Sequence, residues 1–309
     1  MDDNRLETLY NSFNQAIRDE CNEAVTVAFS GGIDSTLVAF IANKYCNIEL
    51  IAVGVPGSHD LEAAKSAAKL IGMEIKIIEV SENEMVDEGL EMQEEIDLSG
   101  IEIEFMLPFW IAAKNTTNSV LMCGQGADEL FGGYARFRKE NAEKDLTKEV
   151  KDLVKRIPER EGKITQIFNL KLLCPYLNKD VIRTAETFSV NERIGEVGKE
   201  ILRKVATKFG LPEEIANRKK KAAQYGSGSQ RAIKNIIKHK IEFLIDFESE
   251  DIARAIVKAT EPENSGWVDT TIMKNQVKAI VKAKNLGSLR EAAEDFMACV
   301  SVAEKVTKN

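Results

Sequence analysis

Residues 25–36, Val-Thr-Val-Ala-Phe-Ser-Gly-Gly-Ile-Asp-Ser-Thr, constrain the fold of this chain more than any other stretch. An apolar run, residues 25–29, reads as a strand and breaks into Ser-Gly-Gly. A helix is predicted to begin around Asp34–Ser35, with Leu37, Val38, Phe40 and Ile41 on its apolar side. Gly31 and Gly32 lack a Cβ, so the backbone can turn tightly and approach a ligand closely. The Ser30 and Ser35 hydroxyls and the N–H groups of the helix start face one spot. That is a phosphate cradle with the positive end of a helix dipole behind it. Asp34 is out of keeping with a bare phosphate site, because a carboxylate repels the anion unless a divalent cation sits between them. The spacing is neither Gly-x4-Gly-Lys-Ser/Thr nor Gly-x-Gly-x-x-Gly.

The first half of the chain continues this alternation. Strands are predicted at 25–29, 49–55, 75–80 and 119–123. Helices are predicted at 4–19, between the second and third strands (Ser58 or Asp60 at its start, Gly72 at its end), at 83–96 and at 107–116. Near-continuous apolar strands alternating with helices imply an α/β fold, a doubly wound parallel sheet covered on both faces. Ligands bind such sheets outside the carboxyl ends of the strands, where Ser30, Gly54–Pro56 and Cys123–Gly126 follow the first, second and fourth strands. From about residue 140 strand signals vanish. Helical periodicity is read at 146–156, 179–187, 191–208, 230–246, 250–259, 269–284 and 287–306. The expected organisation is an α/β domain over 1–140 followed by an all-helical substrate or lid domain over 141–309. Gln224–Gln230, rich in Gly and Ser, reads as a mobile loop.

The chain has 309 residues and a formal net charge of −8, which argues against a broad nucleic-acid surface. No apolar run approaches the roughly 20 residues needed to span a bilayer. The N-terminal Met-Asp-Asp-Asn-Arg-Leu-Glu is acidic and polar, unlike a signal peptide. Five cysteines, Cys21, Cys46, Cys123, Cys174 and Cys299, are scattered, with no Cys-x-x-Cys pair. They are expected to be reduced thiols in a cytoplasmic protein.

A second motif spans residues 123–134, Cys-Gly-Gln-Gly-Ala-Asp-Glu-Leu-Phe-Gly-Gly-Tyr. Four glycines straight after a strand make a loop whose main chain can reach a ligand. Asp128 and Glu129 add carboxylates at the sheet edge that carries Asp34. Two carboxylates from separate loops, with phosphate oxygens, form a hard-cation site suited to Mg²⁺.

Ser-Gly-Gly-x-Asp-Ser resembles the pyrophosphate loop of the N-type ATP pyrophosphatases (PP-loop enzymes, with a Rossmann-like fold). Residues 123–134 resemble the Ser-Gly-Glu-Gly-Ala/Ser-Asp-Glu-Leu-Phe-Gly-Gly-Tyr signature of the asparagine synthetase family's synthetase domain, shared by β-lactam and carbapenam synthetases. Lys199-Glu-Ile-Leu-Arg203 is similar to that family's Lys-x-x-Leu-Arg, and the segment from Leu211 to Lys220 to its Leu-Pro-x-x-Ile-x-x-Arg-x-Lys. Cys174-Pro-Tyr-Leu-Asn178 resembles Arg-x-Pro-Phe-Leu-Asp in weakened form. The resemblance implies ATP and Mg²⁺ as cofactors. It places pyrophosphate on Ser30, Gly31, Gly32, Asp34 and Ser35, and adenine or ribose at Val53 and Gly54. Cys123 and Gly124 bind nucleotide from the second loop, Asp34 and Asp128 hold magnesium, and Lys220 neutralises phosphate charge. The implied activity is that of an AMP-forming ligase. It adenylates an acceptor, most simply a carboxylate, releases pyrophosphate and then transfers nitrogen, as in amino-acid biosynthesis.

Three departures qualify the acceptor. No glutaminase half or N-terminal nucleophilic Cys accompanies the loops, so nitrogen is expected from free ammonia or a separate glutaminase subunit. Gln125 replaces the family's catalytic Glu, and Gln can hydrogen-bond an amine or amide but cannot act as a base. Leu172 stands where an Arg is expected, and Asn178 where an Asp is. Partners are therefore a small-molecule acceptor and that glutaminase, with no membrane or nucleic acid; a homo-oligomer is compatible with the sequence. Two alternatives stand beside this reading. One is a PP-loop enzyme that thiolates a tRNA nucleobase, with Cys46, Cys123 or Cys174 as sulfur carriers or iron–sulfur ligands. The other is a non-catalytic nucleotide-binding subunit.

Overall fold

The computed structural model describes residues 3–21, 24–98, 100–134, 137, 142–218, 226–229, 239–264, 268–283 and 286–307. The chain forms two units, Met1–Ile233 and Lys234–Asn309.

The first unit is built on a five-stranded parallel sheet in the order β3-β2-β1-β4-β5: β1 Val25–Ala28, β2 Ile48–Gly54, β3 Ile75–Glu79, β4 Val120–Met122 and β5 Lys171–Leu173. Register follows from pairs such as Val25 with Ile48, Leu50 with Ile75, Thr26 with Leu121 and Leu121 with Leu172. Four of the five strands match the predicted ones to within a residue at either end. Helix α1 (Asp3–Arg18) buries Leu6, Leu9, Tyr10, Phe13 and Ile17 in one cluster with Val25 and Val27 of β1. Helices α2 (Ile33–Ala42) and α3 (His59–Leu70) connect strands that step in one direction from β1 to β3. Right-handed crossovers therefore put both on the same face. After α4 (Glu82–Glu95) and α5 (Gly100–Asn115) the chain returns past β1 to β4, so these helices cover the other face, α5 lying against β2 and β1. The sheet is doubly wound.

The structure corrects the expected domain boundary at residue 140. Strand β5 completes the sheet, and the segments leading to it and away from it belong to the first unit. They are α6 (Ala127–Phe131), α7 (Ala142–Arg156), α8 (Glu161–Ile167), a 3₁₀ turn over Pro175–Leu177, α9 (Lys179–Ala185), α10 (Val190–Ile194), α11 (Glu200–Lys208) and α12 (Glu213–Ala216). Val150, Tyr176, Val181, Ile201, Leu202 and Ile215 are buried in the cluster that holds Phe13 and Phe131. The helix expected over 191–208 breaks at Gly195, whose φ is +59°. The helix expected from 107 begins at Gly100 and carries Pro108 in its interior.

The second unit is not all helical. Strands β6 (His239–Asp246), β7 (Val268–Met273) and β8 (Gln276–Ala283) form an antiparallel sheet in the order β6-β8-β7, with α13 (Glu250–Asn264) and α14 (Leu286–Thr307). Ile241, Phe243 and Ile245 alternate inward toward Ile256 and Phe296, as do Val277, Ala279 and Val281. Leu244 and Ile280 on the outward register blur this period of two, so the same residues also satisfy a helical stripe. Among the described residues no helix is long and apolar enough to cross a membrane.

Candidate active site at the switch point of the sheet

Strand order reverses between β1 and β4, and the loops that follow these two strands carry both sequence motifs. This is where open α/β sheets bind ligands. In the first loop Gly31 adopts φ +70°, and a Cβ there would lie 2.4 Å from the Ala63 carbonyl oxygen. Only glycine fits. Ser30 N–H donates to Ser35 Oγ at 3.2 Å, Gly32 N–H to Ser30 Oγ at 3.5 Å, and the two hydroxyls lie 3.4 Å apart. Gly32 is the N-cap of α2 and no side chain caps that helix, so its first N–H groups face the loop as an anion site requires. The second loop packs directly on the first: a Cβ on Gly124 would meet Asp34 Cβ at 2.9 Å and Ser35 N at 3.0 Å. Cys123 is buried, its N–H donating to Leu173 O.

The two carboxylates expected to hold a metal are brought together. Asp34 and Asp128, 9% and 8% exposed, both contact the ammonium of Lys199, itself only 2% exposed. Lys199 Nζ lies 2.7 Å from each Asp34 oxygen and 2.7 Å from Asp128 Oδ1. The donor set fits a hard divalent ion, two converging carboxylates beside the uncapped start of α2. Here the ammonium stands between them. Sequence reasoning recognised the motif that begins at Lys199 but gave this residue no role. Its local signal is backbone strain: φ +58° in a residue that is not glycine, as the N-cap of α11. Tyr176 seals the floor, its hydroxyl donating to the Asp34 carbonyl oxygen at 3.1 Å. Burial pushes this phenol well above its ordinary pKa, and the charges of Asp34 and Asp128 add to the shift.

Glu129 is buried and accepts a hydrogen bond from Tyr134 Oη at 3.1 Å. Val53 and Gly54 end β2 at the same sheet edge, where Val55 N–H donates to Ser227 O at 3.0 Å. Residues 226–229 fall in the segment expected to be a mobile loop. Instead Ser227 and Ser229 are buried, Ser229 Oγ donating to the Glu104 carbonyl oxygen. Small serines let this segment close over the strand end. Lys220 lies outside the described residues.

Gln125 points to a group that the sequence did not single out. Its Nε2 donates to Glu161 Oε1 at 3.0 Å, and Glu161 is fully buried against Arg160. The two other substitutions also acquire places. Counting back two from Pro175, as Arg-x-Pro requires, places the missing Arg at Leu173 rather than Leu172. Both are β5 residues, Leu172 paired with Leu121 and Leu173 with Met122, and Asn178 caps α9 by accepting from Asp180 N–H at 2.9 Å. Asp and Asn serve equally at an N-cap, so the change at 178 says nothing about an acceptor.

Cys123 and Cys174 approach within 3.5 Å, and this contact together with burial holds the Cys174 thiol well above its ordinary pKa. Cys46 pairs with Cys21, whose thiol is pushed up to about 12 by burial and Cys46. Cys46 precedes β2, at the opposite edge of the sheet from the two loops. A thiol held protonated is a poor sulfur carrier, which counts against Cys174 in that role. Among the described residues no three His, Cys, Asp or Glu side chains are grouped to hold a metal.

A family model described as asparagine synthase matches residues 7–166 and 146–279, well over half of the chain. The chain belongs to the asparagine synthase family. Among similar asparagine synthase relatives, a Methanocaldococcus jannaschii protein provisionally named glutamine-hydrolysing asparagine synthetase 1 is 32% identical over 260 residues, covering 70% of this chain and 48% of its own length. Asparagine synthetase B of Escherichia coli is 26% identical over 250 residues, covering 71% and 45%. The chain thus spans about half the length of the curated asparagine synthetases it matches. Among solved structures, NMN synthetase from Francisella tularensis aligns over 75% of this chain and 84% of its own at 12% identity and a TM-score of 0.39.

Proposed function

We propose that this asparagine synthase family member is an ATP-dependent, AMP-forming ligase. It adenylates an acceptor oxygen, most simply that of a carboxylate, releases pyrophosphate and passes the activated acyl group to nitrogen. The observation that carries this reading is the convergence of Asp34, Asp128 and Lys199 beside an uncapped helix start, on loops that meet at the switch point.

In this reading the Ser30–Ser35 loop and the N–H groups of α2 receive the leaving pyrophosphate. Asp34 and Asp128 would hold Mg²⁺, which neutralises phosphate charge when bound. With the carboxylates so engaged, the Lys199 ammonium would turn toward the phosphates, where it would stabilise the charge that develops as the bond breaks. The acceptor oxygen attacks the α-phosphorus, and pyrophosphate departs with the bonding electrons. The nitrogen nucleophile then adds to the acyl carbon and AMP leaves. Nitrogen comes from free ammonia or a separate glutaminase subunit, in the cytoplasm.

Incubation with Mg·ATP and a panel of carboxylate acceptors tests the reading. Acceptor-dependent release of pyrophosphate and AMP is expected. ADP and phosphate without AMP would count against it. Because residue 125 is Gln, conversion of aspartate to asparagine is expected to be weak even with ample ammonia. Robust asparagine formation would return the chain to plain asparagine synthetase activity.

A further inference from the structure

Two thiols meet at the root of the candidate site. Cys123 directly follows β4 and Cys174 directly follows β5, so each stands one residue past the last ladder pair, Met122 with Leu173. The hydrogen bond from Cys123 N–H to Leu173 O, 3.0 Å, carries the parallel register one step further. Residues opposed in that register point to the same face of the sheet, and neighbouring strands lie about 4.8 Å apart. That separation falls inside the roughly 4.4–6.8 Å between Cα atoms that a disulfide spans. The two Sγ atoms are already 3.5 Å apart. Side-chain rotation brings them within bonding distance.

Each sulfur is anchored to a segment that packs on the Ser30–Ser35 loop. Gly124, next to Cys123, leaves so little room that a Cβ would lie 2.9 Å from Asp34 Cβ and 3.0 Å from Ser35 N. Tyr176, two residues after Cys174, donates its hydroxyl to the Asp34 carbonyl oxygen at 3.1 Å. Packing this tight has no slack, so a cross-link that draws the two segments together is passed on to Asp34 and Ser35. Cys123 is buried and Cys174 half-buried, so a reagent meets Cys174 first. Its contact with Cys123, burial and the nearby Glu161 carboxylate hold the Cys174 thiol well above its ordinary pKa, against the opposing charge of Arg160. The thiolate is scarce near neutral pH, and exchange is slow unless oxidant is in excess.

We propose that Cys123 and Cys174 are a redox switch: a small-molecule disulfide converts them to an intramolecular disulfide that weakens nucleotide binding at the adjoining Ser30–Ser35 loop. The effect on nucleotide rests on the ligase reading, whereas the cross-link itself does not. The Cys174 thiolate attacks one sulfur of the oxidant, whose S–S bond breaks, and the thiolate that leaves takes up the proton Cys174 has lost. Cys123, losing its proton in turn, attacks the Cys174 sulfur of the mixed disulfide, and the second thiol departs. Two protein thiols are oxidised and one external disulfide is reduced to two thiols.

The test equilibrates the full chain at about pH 8 with glutathione and glutathione disulfide over a range of ratios. Remaining thiols are blocked with N-ethylmaleimide and the peptides mapped by mass spectrometry. Peptides linked through Cys123 and Cys174, and released by dithiothreitol, are expected. Calorimetric titration with Mg·ATP should show an affinity at least about five-fold weaker in the linked form, restored on reduction. Cys174→Ser should bind Mg·ATP equally before and after glutathione disulfide. Cys46→Ser, which removes one thiol of the separate Cys21–Cys46 pair, should keep the sensitivity. No Cys123–Cys174 link at any ratio, glutathione stopping as a mixed disulfide on Cys174, or a loss of affinity that survives in Cys174→Ser would overturn the proposal. A reduced protein that fails to bind Mg·ATP counts against the ligase reading and removes the switch with it, the peptide map still deciding the link. A reduced protein that binds Mg·ATP, and binds it as well once linked, counts against the switch alone.

Discussion

Lys199 shows how one side chain sets the character of a site. Its buried ammonium is shared by Asp34 and Asp128. Lys199→Met should therefore lower stability by about 3–5 kcal/mol, the cost of removing one partner of a buried ion pair. Millimolar Mg²⁺ should restore part of that loss in denaturant unfolding of the variant and leave the parent almost unaffected. Gly31→Ala should cost about 1–3 kcal/mol from its positive φ alone, beyond the clash with Ala63. The same variant should lose the melting-temperature rise that Mg·ATP gives the parent. A retained rise would remove the loop from the nucleotide site. Gln125→Glu sets a second carboxylate against Glu161, and like charge favours the protonated form of one of the two, raising its pKa above the unfolded value. A carboxyl whose pKa is raised by folding destabilises the fold as pH climbs through that interval. The variant should accordingly lose ground to the parent in unfolding experiments from about pH 5 upward, and release less pyrophosphate with the true acceptor.

Among the helices, α10 is joined to α1 through the Glu192 carboxylate. Ser189 and Glu192 form a reciprocal capping box, and Arg5 of α1 donates to Glu192 at 3.1 Å while stacking on Phe188. Hydrogen bonds from the Ser189 backbone and side chain, then from Arg5, hold the Glu192 carboxyl below its usual 4.5. A depressed carboxyl stabilises the fold above the unfolded pKa and loses that contribution as pH falls through the folded value. Glu192→Ala should lower Tm by about 2–4 °C at pH 7, and the difference should close as pH drops below about 4.5. At α9, Asn178→Asp should be neutral within a few tenths of a kcal/mol, whereas Asn178→Ala should cost about 1 kcal/mol. Denaturant midpoints of the two variants decide this. A large loss in Asn178→Asp would contradict the capping role.

At the scale of the molecule, the unit over Lys234–Asn309 has its own core around Phe247, Ile256, Val281 and Phe296. The fragment 234–309 should unfold cooperatively when expressed alone, as followed by circular dichroism; a non-cooperative or absent transition would show that this core needs the rest of the chain. Four parallel strands and both glycine-bearing loops were legible because their signals are local. Apolar runs mark buried strands, Gly-Gly and Gly-x-Gly mark turns, and the carboxylates lie within the same motifs. Strand β5 was not legible, since three residues hold no period and its place depends on pairing with β4. The sheet of the second unit alternates in sequence, yet outward Leu244 and Ile280 let it pass for helix. The sequence by itself therefore determined the winding of the sheet, the turn of the Ser30–Ser35 loop and the pairing of Asp34 with Asp128. Only the tertiary structure decided that Lys199 stands between those carboxylates, and that Glu161 and Arg160 hold Gln125. Both contacts join residues at least 35 positions apart, and no local pattern records which distant side chain the closing core will deliver.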